Sequence, residues 1–180
     1  ITVPAGDVQN LVDGDYNVKV SLSDKAGNKV SVDKPLVVDT TAPEISINAV
    51  TGDDSISVTE QAAGVTINGT TTAEVGQTVS VNFNGRNYSA TVTAENTWTI
   101  NVPSNHFNGI VDGTYPVTVT VSDNAGNNST LSHNVTVVTK LPSLTIDTFA
   151  GDNVVNGDEH QQSQVISGTS DAIGQFVTVT

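Results

Sequence analysis

The sequence predicts an all-β protein, a tandem of seven-strand β-sandwiches of which one is complete and two are partial. Two observations lead there. The stretch Asp13-Gly14-Asp15-Tyr16 through Ser23-Asp24-Lys25-Ala26-Gly27-Asn28 returns 99 residues later as Asp112-Gly113-Thr114-Tyr115 through Ser122-Asp123-Asn124-Ala125-Gly126-Asn127. A period near one hundred residues means repeated whole domains, not a solenoid of small units. In addition, apolar residues alternate with Thr, Ser and Asn at period two along most of the chain, and no window carries a helical stripe.

The elements follow in order. Residues 1–41 match 100–140, so the chain opens on the second half of a repeat and its linker, Asp39-Thr40-Thr41-Ala42-Pro43. Residues 42–140 form a complete repeat. Residues 141–180 match its first part and stop in mid-repeat, so the sequence reads as cut from a longer protein whose end fragments bury no core alone. Within the complete repeat, the first strand holds Ile45 and Ile47, the second Val65 and Ile67, and the third Val79, Val81 and Phe83. Asn84-Gly85 is a two-residue hairpin turn, since both residues tolerate positive φ. Tyr88, Ala90 and Val92 mark the fourth strand. Glu95-Asn96 turns into the fifth, with Trp98, Ile100 and Val102. Tyr115, Val117, Val119 and Val121 mark the sixth, and Leu131, Val135 and Val137 the seventh. Seven short antiparallel strands in about a hundred residues indicate an immunoglobulin-like sandwich, with Tyr115 and its copy Tyr16 at the place of a tyrosine corner. The absent disulfide and the position of Trp98 argue against an antibody-type domain and leave fibronectin-type and cadherin-type topologies open.

Composition narrows the function. The net charge is −13 and the isoelectric point about 4.1, with six Lys plus Arg in 180 residues. Such a chain is a poor partner for nucleic acid or an anionic membrane. There is no Cys for disulfides or thiolate metal sites. No signal peptide opens the chain and no long apolar run inserts it in a membrane.

The acids gather in loops and linkers. Strand connectivity puts the loop from Gly52-Asp53-Asp54 to Glu60, and Asp112, at the end of the sandwich where the chain leaves. It puts Asp123 through Asn127 at the opposite end, beside the linker and Asp39. Clustered carboxylates without His or Cys are hard ligands, suited to Ca²⁺ with six to eight oxygens. The expected first-junction site takes Asp39 from the linker, Asp123 from the following repeat and Asp13 from the preceding one. A second site takes Asp53, Asp54, Glu60 and Asp112, and Asp152, Asp158 and Glu159 rebuild it in the third repeat. The bland reading is that these acids are turn residues and solvated surface. The second junction has Val138 in place of Asp39 and adds Lys140, so its metal should be weaker, altered or absent.

Other motifs fail on context. Asp13-x-Asp15-x-Asn17 with Asp24 imitates an EF-hand loop, but it lacks the Gly at the sixth position and runs through an alternating strand. The sequons at Asn68, Asn87, Asn127, Asn128 and Asn134 are what Thr-rich strands produce by composition. His106, His133 and His160 have no acid–base partner pattern, so no catalytic residue is assigned and the chain is not read as an enzyme.

Asp39-Thr40-Thr41-Ala42-Pro43, Gly52-Asp53-Asp54-x₅-Glu60, Asp112-Gly113-x-Tyr115 and Ser122-Asp123-x-Ala125-Gly126-Asn127 together resemble the bacterial Ig-like repeats of giant type I-secreted non-fimbrial adhesins, the SiiE, BapA and LapA kind. The resemblance covers the whole chain. It implies a non-catalytic spacer on a bacterial cell surface, Ca²⁺ at the interdomain junctions, and adjacent repeats of the same chain as partners. A host-cell glycan or surface receptor would be met by a distal region, for adhesion, biofilm formation or virulence. On this view each repeat adds roughly 40 Å, and the linker bends freely until Ca²⁺ locks it. The alternative is a sandwich that itself binds host glycan or protein, through a patch near Trp98 or through exposed Tyr88 and Phe107. A third class is an accessory domain of a secreted hydrolase.

Overall fold

The computed structural model describes residues 1–180 and divides into two compact units, Ile1–Val138 and Thr139–Thr180. The first unit opens with a single helical turn, α1 (Ala5–Val8), and an antiparallel hairpin of β1 (Gly14–Ser23) and β2 (Lys29–Val38). After the linker come β3 (Ser55–Ser57), α2 (Val58–Ala63), β4 (Val65–Thr70), β5 (Thr78–Phe83), β6 (Arg86–Thr91), β7 (Thr97–Val102), β8 (Gly113–Ser122) and β9 (Asn128–Val138). One sheet has the order β3-β9-β8-β5-β6, and β4 pairs with β7 in a second.

Alternation builds the core between these sheets. Val65 and Ile67 of β4, Val79, Val81 and Phe83 of β5, and Trp98, Ile100 and Val102 of β7 all point inward and are buried. Val117, Val119 and Val121 of β8, next to β5 in the larger sheet, pack with it against β4 and β7 and are buried too. Trp98 is fully buried, as its phase in β7 predicts. Asn84 and Gly85 both have positive φ, 48° and 72°, and close the β5–β6 hairpin. Tyr115 donates its hydroxyl to the Val111 carbonyl at 2.9 Å, and Tyr16 donates to Val12 at the same distance. Both tyrosine corners are therefore formed. The corresponding face of the β1–β2 hairpin, with Val18, Val20 and Leu22, is exposed.

The structure corrects the sequence reading at the first strand, which is split. Residues 44–48 run along β4, with Ser46 N–H donating to Thr70 O (2.8 Å) and Asn48 N–H to Asn68 O (2.9 Å). The chain then kinks and rejoins the other sheet as β3, parallel to β9 with Ile56 opposite Val137. The kink is made by positive φ at Thr51 (58°), Gly52 (97°) and Asp54 (60°). The expectation of strand alone is also too simple. α2 follows β3 and closes a capping box, with the Ser57 hydroxyl and the Glu60 carboxylate reciprocally satisfying backbone N–H groups. A 3₁₀ turn, Ser104–Phe107, tucks Phe107 against Phe83 at a ring separation of 6.0 Å.

The second unit repeats the start of this arrangement at an offset of 99. Thr145 N–H donates to Thr169 O and Asp147 N–H to Ser167 O, both at 2.9 Å. Gly69 and Gly168 occupy equivalent places. A Cβ added at either would stand 2.0 Å from a carbonyl oxygen of the neighbouring segment, Ser46 O or Thr145 O. Only glycine permits that approach.

Candidate functional site

The acids singled out in the sequence fall into three structural settings. The first is the linker. Asp13 stands just after the loop fixed by Tyr16, and its carboxylate reaches across to Thr40 and Thr41. Oδ1 accepts from Thr40 N–H (2.8 Å) and the Thr40 hydroxyl (2.7 Å), and Oδ2 accepts from the Thr41 hydroxyl (2.6 Å). Hydrogen bonds from Thr41 and then Thr40 favour the ionised form and hold the Asp13 carboxyl below the ordinary Asp range. The Asp39 carboxylate accepts one bond, from Thr41 N–H at 3.1 Å, on Oδ1.

The second setting is the β8–β9 turn. Asp123, only 9% exposed, accepts from Gly126 N–H and Asn127 N–H on Oδ1, each at 2.8 Å, and from the Asn127 amide on Oδ2 at 2.9 Å. Desolvation pushes its carboxyl upward, but the Asn127 side chain and the turn N–H groups outweigh it and the net shift is downward. The Asn127 amide also donates to the Asp39 carbonyl at 3.1 Å. Asp13, Asp39 and Asp123 therefore belong to one hydrogen-bonded junction, linked through Thr40, Thr41 and Asn127. The same turn recurs between β1 and β2, where Asp24 accepts from Asn28 N–H (2.8 Å) and the Asn28 amide (2.7 Å).

The third setting is the kink between residues 50 and 60. Asp53 Oδ1 accepts from Ser55 N–H at 3.0 Å. Asp54 Oδ1 accepts from Val50 N–H at 2.8 Å and lies 2.6 Å from His133 Nε2 of β9. The His133 bond is the main reason the Asp54 carboxyl lies below its ordinary value. Glu60 Oε2 accepts from Ser57 N–H and the Ser57 hydroxyl, at 2.8 and 2.7 Å. Asp112 directly precedes β8, whose Gly113 stands opposite Val137, so Asp112 and the kink share one end of the sandwich as expected. In the second unit Asp152 accepts from Val154 N–H, Asn153 from Phe149 N–H, and Glu159 from Asn156 N–H. Each repeats a bond of the kink 99 residues on. Asp158 donates its N–H to Asn156 Oδ1.

The recurrence of the kink and turn acids therefore has a local physical reason: Asp53, Asp54, Glu60, Asp123, Asp152 and Glu159 each satisfy backbone donors of their own loop. No three His, Asp or Glu side chains gather within reach of one ion. The donors at the first junction are all hard oxygens and suit Ca²⁺ in chemistry, and Asp39 keeps one carboxylate oxygen unbonded. Asp13 and Asp123 already accept protein donors on both oxygens.

The aromatic surface is smaller than the sequence suggests. Phe107 is 4% exposed and belongs to the core, which corrects its reading as an exposed contact residue. Tyr88 is half-buried, and its hydroxyl meets His106 Nδ1 at 2.8 Å. No helix is long and apolar enough to cross a membrane.

Comparison with known proteins gives the following. The family model described as "Bacterial Ig-like domain" matches residues 41–139, and a second model of that description matches residues 8–40. A solved structure of a 1.5-MDa bacterial ice-binding adhesin, described in terms of host cell surface retention, is 27% identical over 96% of this chain and 57% of its own, with a TM-score of 0.53. A Ca²⁺-stabilized adhesin by which an Antarctic bacterium binds ice is 31% identical over 88% of this chain and 40% of its own, with a TM-score of 0.46. An immunoglobulin-like domain of the M. primoryensis ice-binding adhesin is 34% identical over 55% of this chain and all of its own, with a TM-score of 0.43. No curated protein matches the chain. It thus spans 57% and 40% of the first two structures it matches.

Proposed function

Because the chain belongs to the bacterial Ig-like domain family, we propose that it forms non-catalytic spacer repeats in the stalk of a large bacterial surface adhesin, holding a distal binding region away from the cell. Residues 1–41 are then the C-terminal half of one repeat with its linker, 42–140 a complete repeat, and 141–180 the N-terminal part of a third. The observation that carries this reading is the linker. Asp39–Pro43 is bonded to the hairpin before it through Asp13 and to the sandwich after it through Asn127. Similarity to a structure from a 1.5-MDa bacterial ice-binding adhesin supports it.

Outside the cell, Ca²⁺ is the cation that these junctions would take up. Asp39 offers the open carboxylate oxygen at the first junction, with Asp13 and Asp123 as partners in its hydrogen-bonded surroundings. Asp53, Asp54, Glu60 and Asp112, with Asp152, Asp158 and Glu159 in the third repeat, form the second group of the same proposal. Most of these already accept hydrogen bonds from kink and cap donors. Bound cation would lower the mutual repulsion of a chain with net charge −13.

Calorimetric titration of the chelator-treated chain with CaCl₂ tests this. The reading expects saturable binding at millimolar concentration or below, with one site lost in Asp39→Ala. Absence of heat and of any thermal shift in Ca²⁺ would remove the metal from the account and leave the spacer assignment standing.

A further inference from the structure

The linker is gripped from both sides by groups that need no metal. From the preceding hairpin, Asp13 takes three hydrogen bonds from Thr40 and Thr41, between 2.6 and 2.8 Å. Bonds to an ionised carboxylate are the stronger kind. Asp13 is itself held in place, because Tyr16 ties down the Val12 carbonyl next to it. From the following sandwich, the Asn127 amide donates to the Asp39 carbonyl, and Asp123 holds that amide from behind. One step further on, the Ser129 hydroxyl donates to the Pro43 carbonyl. Pro43 is buried, its ring fixes its own φ, and it drives Ala42 toward extended backbone.

We propose that these groups form a protein-only latch, with Asp13 gripping Thr40-Thr41 on one side and Asn127 with Ser129 gripping Asp39 and Pro43 on the other, which fixes the linker's path before any cation binds. The inference rests on the spacer reading and deepens it. It replaces a linker that swings until calcium arrives by one that is already oriented, so that a cation at Asp39 adds to an existing order. It also gives the repeated tyrosine corner a task beyond the core, which is to present the carboxylate that holds the exit linker.

The chain has no Cys, so two spin labels can be placed cleanly, at Ser21→Cys in the hairpin and Thr93→Cys in the sandwich. Pulsed dipolar spectroscopy of the full chain in excess chelator then reads the distance distribution. The latch requires a single narrow peak in the otherwise unchanged chain and a width at least about twofold larger in Thr40→Val/Thr41→Val. That double change removes the hydroxyl donors at two exposed sites and leaves every carboxylate intact. Asp13→Ala should reproduce the broadening, and Asp39→Ala should not in chelator. An unbroken thermal transition in each variant shows that the sandwich remains folded. A broad peak before any change, or an unaltered width in the double variant, would overturn the latch. Neither result depends on calcium binding, so the latch and the metal proposal fail separately.

Discussion

Gly69 shows what one residue decides in this fold. Its missing side chain lets the segment carrying Ser46 lie close along β4 next to Trp98, where an added Cβ would stand 2.8 Å from the indole and 2.0 Å from Ser46 O. Gly69→Ala should therefore destabilise the complete repeat by about 3 kcal/mol, the upper range for overpacking. Urea unfolding would show this as a lower midpoint with an unchanged slope. Asp54 makes a second prediction. Its folded carboxyl lies below the ordinary value because of His133 first and Val50 N–H after it. The stability it contributes is thus fully present above the ordinary Asp value and is lost as pH falls through the lower, folded value. His133→Ala should shrink that acid-side loss, measurable as a shallower fall of the melting temperature in the acid range. Sequence reasoning placed Asp53 and Asp54 in a loop at the right end of the sandwich. It could not see that the partner of Asp54 is a histidine 79 residues away, because that pairing exists only once β3 has joined β9.

At the scale of elements, the alternating strands were legible because burial on one face of a sheet writes itself into the sequence with period two. Val65 to Trp98 needed no correction. The split first strand was not legible, since β3 contributes only Ser55, Ile56 and Ser57, too few to show a period. The helix after it did leave a signal. Ser57-x-x-Glu60 is a capping-box pattern, and reading Glu60 only as a metal ligand concealed it. Ser57→Ala should cost about 1 kcal/mol through loss of the cap, read as a lower urea midpoint, with a larger loss of hydrogen-exchange protection across residues 58–63 than elsewhere. If protection falls evenly over the sandwich instead, α2 is not the unit that the cap supports.

For the whole molecule, the 99-residue offset carries the most weight, because it applies to bonds as well as to letters. Tyr16 and Tyr115, Asp24 and Asp123, and Glu60 and Glu159 each make the same contact twice. A chain that rebuilds its loops at fixed intervals, and binds the linker between them on both sides, has the parts of a repeating strut. Most of the acids that suggest calcium in the sequence turn out to accept backbone donors, which composition and spacing cannot reveal. Asp39, with one oxygen unbonded, is the residue at which Ca²⁺ dependence should be sought.

Small-angle scattering on arrays of two, four and six complete repeats joined by the Asp39–Pro43 linker tests the strut most directly. The account predicts a maximum dimension that grows in proportion to repeat number, by roughly 40 Å each. Growth nearer the square root of repeat number, as for freely jointed beads, would contradict it.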